Sequence, residues 1–294
     1  MVHTIFIDGS YMVFFRYFAL KQWWAVSKQE PSLDVEPPSL NAKFRTRFAE
    51  VFTKKMTELP KKIATQFTPT NKKQPVRIFV GKDCPQSTIW RNAAIAQWST
   101  DESQGQPQYH YKGGRDTSEN DQIREFFKMV YNDKLFEQAG ATVLSCDGLE
   151  ADDCIALATK QLLATTSAAQ ITIVTSDHDY LQLLTPTHPN LHLFTLKYKD
   201  MAIGKNIYPE GEKNLLIKLL MGDKSDNIPP AIPKCGVKTA IKYCEDREKL
   251  AEKLANRSVL EQFERNNTII NFDKIPTDLQ AGFYTKYKNI LNKY

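Results

Sequence analysis

Acidic residues follow four short apolar runs of the chain. Asp8 ends His3–Ile7, Asp83 comes three residues after Val76–Val80, Glu150-Ala-Asp152-Asp153 follows Ala141–Ser145, and Asp177-His-Asp179 follows Ile171–Thr175. Glu150 and Asp153 are three apart at the start of an expected helix and share one face, with Asp152 beside them. Carboxylates gathered in one pocket repel and raise each other's pKa unless a bound cation compensates them. A lone Asp152 would read as a loop residue or a helix N-cap. Four strand ends that all carry acids point instead to a divalent-metal site. Oxygen ligands of this kind suit Mg²⁺ or Mn²⁺, which take phosphate oxygens as further ligands. Two such ions about 4 Å apart can activate a water and stabilise the leaving 3′ oxygen of an in-line displacement, so phosphoryl chemistry is the expected task.

The elements that must position these acids can be read from periodicity. Apolar runs at His3–Ile7, Val76–Val80, Ala141–Ser145, Ile171–Thr175 and Leu191–Leu196 read as strands. Tyr11–Gln22, Ile123–Phe136 and a segment with Ala151, Ile155, Ala158 and Leu162 on one face read as helices between them. Alternation at this spacing predicts an α/β fold with a mainly parallel central sheet flanked by helices. In such a sheet, ligands bind outside the carboxyl ends of the strands, where these acids fall. After about residue 210 the pattern turns helical, which predicts a core over 1–208 and a helical extension over 209–294.

Composition narrows the class. The 294 residues are 41% hydrophobic, enough for a sizeable core, and no apolar run approaches the roughly 20 residues of a membrane helix. The chain is expected to be soluble and intracellular, without a membrane partner. Five cysteines, Cys84, Cys146, Cys154, Cys235 and Cys244, lack paired spacing and read as reduced thiols. Net charge is +5, but nine Lys or Arg crowd Lys43–Lys73 against Glu50 and Glu58. Phe44, Phe48, Val51 and Phe52 recur there at helical spacing, leaving the cations to face outward, either as a solvated face or as a surface that tracks phosphates.

Five motifs occur in order: Phe6-Ile-Asp-Gly-Ser10, Tyr111-Lys-Gly-Gly-Arg115, Gly148-Leu-Glu-Ala-Asp-Asp153, Thr175-Ser-Asp-His-Asp-Tyr180 and Met221-Gly-Asp-Lys-Ser-Asp-Asn-Ile-Pro229. Together, over residues 4 to 245, they resemble the signature of the structure-specific 5′ nucleases: flap endonucleases, bacteriophage 5′ exonucleases and the 5′-nuclease domain of bacterial DNA polymerase I. The single-nuclease form, and the short segment Asp116–Gly148 that stands where the family has a helical arch, resemble phage or large-virus members more than cellular flap endonucleases.

The resemblance implies a PIN-like core that hydrolyses DNA near a 5′ single-stranded end, flap or nick, in replication, repair or recombination. It puts Asp8, Asp83, Glu150, Asp152 and Asp153 around a first Mg²⁺ or Mn²⁺, and Asp177, Asp179, Asp223 and Asp226 around a second. Lys112 and Arg115 match a basic pair that contacts the scissile phosphate, at the foot of an arch over about 112–140. Arg16 and Arg91 are expected to support phosphate binding or structure. The stretch 222–245 resembles a helix-hairpin-helix element, with Lys234, Gly236 and Lys238 as DNA contacts and a site for a monovalent cation such as K⁺. The expected protein is a monomer that can work beside replication proteins. Two other classes stay open: a PIN-type ribonuclease and a non-catalytic DNA-junction binder.

Overall fold

A computed structural model describes residues 2–66, 75–96, 111–113, 120–165 and 169–292. In chain order the elements are β1 (His3–Asp8), α1 (Gly9–Val26), α2 (Ala42–Ala64), β2 (Val76–Gly81), α3 (Trp90–Ala96), α4 (Asn120–Asn132), α5 (Leu135–Gln138), β3 (Thr142–Leu144) and α6 (Ala151–Thr165). There follow β4 (Gln170–Val174), β5 (Leu191–Phe194), α7 (Gly211–Met221), α8 (Val237–Glu245), α9 (Arg247–Leu254), α10 (Arg257–Ile270) and α11 (Thr277–Leu291). The five strands form one sheet in the order β3-β2-β1-β4-β5. Every neighbouring pair is parallel, as expected from the alternation of strands and helices.

The alternation of side chains along β1 explains why helices cover both faces of the sheet. Phe6 packs with α6 and α11 in one core, and Ile5 and Ile7 pack with α1, α2, α4 and α5 in the other. The basic segment forms α2, whose core side carries Phe44, Phe48, Phe52, Met56, Leu59 and Ile63, each at most 1% exposed. Burial of each stabilises the fold by about 1.5–3 kcal/mol, so the helix is held by its apolar side whatever its cations do. Lys72 and Lys73 of the basic run lie outside the described residues.

One expected helix is divided. Over 123–136 the periodicity predicts a continuous helix, but Lys134 adopts a left-handed φ of 55° and separates α4 from α5. Buried Leu135 and Phe136 can then turn back onto the sheet. The helical C-terminal part packs directly on the core: Tyr287 of α11 joins the α6 side, and Arg77 of β2 donates to the Leu291 carbonyl at 3.1 Å. No helix among the described residues is long and apolar enough to cross a membrane.

Candidate metal centre

The acids after β1 to β4 meet at one end of the sheet because the strands are parallel and in register, with Asp8 opposite Gly81. Asp8 also caps α1: Oδ1 accepts from the Tyr11 amide at 3.0 Å, while the Thr175 hydroxyl donates to Oδ2 at 3.2 Å. Burial, then the charges of Asp83 and Asp177, push its carboxyl up to about 7 despite those hydrogen bonds. Glycine follows Asp8 for steric reasons. A Cβ on Gly9 would stand 2.4 Å from the Gly81 carbonyl oxygen and 2.6 Å from the Tyr131 hydroxyl.

Asp83 ties the β2 loop to α6. Ser10 donates its hydroxyl to Oδ2, and the Ala151 amide, an otherwise free donor of the first helical turn, donates to Oδ1 at 2.8 Å. At the same helix start, Asp153 accepts the Glu150 amide at 3.1 Å in a capping-box arrangement. It also accepts Trp90 Nε1 at 2.9 Å and both terminal nitrogens of Arg91, at 2.8 and 2.7 Å. Arg91 reaches Glu150 Oε2 at 2.8 Å as well, and its Nε donates to the Ile269 carbonyl at 2.8 Å.

Of the two roles expected of Arg91, this favours the structural one. It is 2% exposed and its donors are committed to protein acceptors, so no face of it is open to phosphate. Its place is structural, between carboxylates that would otherwise be buried and unpaired. Asp153, at 0% exposure, is correspondingly saturated by donors rather than open to solvent. Asp152 has no comparable compensation, since its nearest Arg91 contact is 3.9 Å. Burial and the neighbouring Asp153 raise its carboxyl well above the usual range, with Arg91 offsetting only part.

Lys112 meets Glu150 rather than standing free: Nζ lies 2.5 Å from Oε1, with the ammonium 4.9 Å from the Tyr111 ring. Burial would raise the Glu150 carboxyl, but Arg91 and Lys112 outweigh it and hold it low. Arg115 lies outside the described residues.

A second group joins Asp179, Asp223 and Asp226, with one oxygen of each within 4.8 Å of the others. Asp223 sits in a tight turn closed by reciprocal amide hydrogen bonds with Ile228, at 2.9 and 2.7 Å. The sequence does not single out Lys218, on α7, yet its ammonium bridges Asp179 and Asp223, 2.7 Å from the latter. A single lysine inside the apolar run Leu215-Leu-Ile-Lys-Leu-Leu220 was the available signal. Burial pushes Asp223 up, but Lys218 and the Ser225 hydroxyl and amide prevail and hold it at about 2.

Asp177 is not in this group of three. It is exposed, caps the turn at His178–Leu183 by accepting the Asp179 amide at 2.9 Å, and acts electrostatically on Asp8. The two groups are joined through Tyr111, whose hydroxyl lies 3.1 Å from Glu150 Oε2 and 3.4 Å from Asp226 Oδ2. The Lys112 amide adds a bond to the Asp226 carbonyl at 3.1 Å.

The remaining candidates lie farther out. Arg16 of α1 is partly buried, its guanidinium 5.0 Å from the Phe15 ring centre. Lys234, Gly236 and Lys238 are exposed at the start of α8, where Gly236 offers no capping side chain to the free amides. Neither carboxylate group contains histidine or cysteine, and Asp8 and Asp152 carry the raised pKa values of acids short of positive charge. The donor set fits hard divalent cations.

Residues 3–208 match the family described as 5′-3′ exonuclease, N-terminal resolvase-like domain. A DNA polymerase I from Rhizobium leguminosarum is 36% identical over 131 residues, covering 43% of this chain and 12% of that protein. A 5′-3′ exonuclease from Buchnera aphidicola subsp. Schizaphis graminum is 34% identical over 140 residues, covering 45% and 44%. The chain thus spans less than half of each of these two relatives. The Ribonuclease H of Enterobacteria phage T4 is 26% identical over 220 residues, covering 67% and 68%. Among solved structures, the T5 D15 protein co-crystallised with metal ions aligns over 99% of this chain and 100% of its own, with a TM-score of 0.64 at 16% identity. That likeness is one of fold.

Proposed function

Because the chain belongs to the 5′-3′ exonuclease family, through its N-terminal resolvase-like domain, we propose that it is a metal-dependent 5′ nuclease. It hydrolyses DNA phosphodiesters near a 5′ end, as an exonuclease, a flap endonuclease or both, in replication, repair or recombination. The observation that carries this reading is the pairing of two carboxylate groups across Tyr111, with Asp8 and Asp152 still short of positive charge.

Asp8, Asp83 and Asp152 hold a first divalent ion, with Glu150 facing it and Asp153 fixing the frame through Arg91. Asp179, Asp223 and Asp226 would hold a second, with Asp177 capping the turn that presents Asp179. Mg²⁺ or Mn²⁺ held by these residues would supply an activated water and charge stabilisation for the leaving oxygen. Lys112 exchanges Glu150 for the scissile phosphate and, with Arg115, stabilises the charge that develops there. Arg16, on α1, would support the phosphates.

The extension from residue 209 grips the duplex. Gly236 and the free amides of the α8 start meet phosphate without reading sequence, Lys234 and Lys238 add charge, and a K⁺ ion can share that turn. Because Asp223 and Asp226 belong to the same stretch, duplex grip and cutting are coupled.

The test is cleavage of 5′-flap and nicked DNA, beside RNA counterparts, with Mg²⁺, Mn²⁺ or a chelator. Wild type is expected to cut with either ion and to stop with the chelator, while Asp8→Asn loses about 10³-fold in rate. Equal cutting by the two proteins would refute the mechanism. Likeness to a protein named Ribonuclease H favours a second substrate reading, an RNA strand paired to DNA. Faster cutting of the hybrid than of the DNA duplex would select it.

A further inference from the structure

Tyr180 follows Asp179 and is 0% exposed, its ring packed 6.1 Å, centre to centre, from Phe272. Its hydroxyl is buried and has no hydrogen-bond partner among the described residues. Buried hydroxyls nearly always have one, and phenylalanine would fill the same space without the unmet need. The charges that act on this hydroxyl come from Asp8 first, then Asp152, Asp177 and Asp83, the acids that follow β1, β3, β4 and β2. A phenol is protonated at neutral pH and a carboxylate only accepts, so between the two the tyrosine is the donor.

We propose that the Tyr180 hydroxyl is a positioning donor for the first divalent ion, turning the Asp8 carboxylate so that one oxygen faces the cation and the other accepts the phenolic hydrogen. Before the ion arrives, Asp8 is held by Tyr11 and Thr175 and the hydroxyl is unsatisfied. When the carboxylates gather on a cation, the hydroxyl completes its bond. A hydrogen bond to a charged acceptor is stronger than one between neutral groups, so the gain appears as metal affinity. The inference rests on the reading of the first group as a divalent-ion site.

Tyr180→Phe removes one oxygen and keeps the packed ring. Calorimetric and paramagnetic-resonance titrations with Mn²⁺ should show the first ion bound about tenfold more weakly, the second unchanged, and the metal-free melting temperature the same or higher. In wild type, the Cζ carbon resonance of Tyr180 should move as Mg²⁺ fills the site, and this decides the matter should the variant fail to fold. Equal first-ion affinity in the two proteins, or a Tyr180 resonance that ignores Mg²⁺, overturns the inference. Failure of wild type to bind Mn²⁺ at all would instead overturn the metal-site reading beneath it.

Discussion

The two carboxylate groups, five acids around Asp8 and Glu150 and three around Asp223, answer their charge differently. In the first, the planar guanidinium of Arg91 is buried and bonds both Glu150 and Asp153. In the second, the ammonium of Lys218, on a flexible stem, bridges Asp179 and Asp223 and is 16% exposed. A guanidinium offers fixed, directional donors and stays charged, whereas an ammonium is a point charge that can move aside. The first group therefore has a permanent internal cation that braces two of its acids and leaves Asp8 and Asp152 in want of another. In the proposed function, the ammonium of the second is a placeholder that a divalent ion would displace.

The largest effect that would test this contrast is catalytic. Asp152→Asn and Asp179→Asn should each slow DNA cleavage by about 10³-fold in Mg²⁺, by single-turnover kinetics, because each removes an ion ligand. A mild loss from either would remove that residue from its ion.

Next in size is the brace. Arg91→Met should destabilise the fold by about 3–5 kcal/mol in urea denaturation, since it leaves Asp153 and Glu150 buried without their partner. Arg91→Lys should recover little, because one ammonium cannot make the forked contacts. Full recovery by lysine would mean that the two groups use their cations alike.

Titration should run in opposite directions. Asp8 sits near 7 in the folded protein, above its unfolded value of about 3.9, so its contribution to stability is complete below that value and is lost as pH rises through about 7. Asp223, held at about 2, contributes stability above its unfolded value that is lost as pH falls toward 2. Metal-free wild type should therefore lose roughly 2–3 kcal/mol relative to Asp8→Asn between pH 4 and pH 7, by denaturant titration at each pH. Saturating Mg²⁺ should abolish that difference, and a flat profile for both proteins would place Asp8 in a less charged setting.

The smallest effect belongs to the placeholder. Lys218→Met should cost about 1 kcal/mol without metal and less with Mg²⁺ present, because the ion replaces the lost cation. If metal failed to narrow the gap, Lys218 would be a brace like Arg91.

Much of the frame was legible before the fold. The strands that lead to Asp8, Asp83 and Asp177, and the helix start at Glu150 to Asp153, follow from short-range apolar periodicity and capping chemistry. The parallel sheet follows from their alternation with helices. The break at Lys134 was not legible, because only the need to bring Leu135 and Phe136 onto the sheet selects a left-handed residue there.

Sequence by itself thus determined which acids stand at strand ends and what chemistry such acids suit, since both depend on neighbours a few residues away. Tertiary structure alone decided how each acid is compensated. Arg91 meets Asp153 across 62 residues, and Lys218 joins Asp179 to Asp223 from a helix of the C-terminal part. It also decided that Asp177 is exposed and lies outside the close group of Asp179, Asp223 and Asp226. Charge state and metal affinity depend on burial and on the few ångströms around each oxygen, and those distances exist only once distant segments pack together.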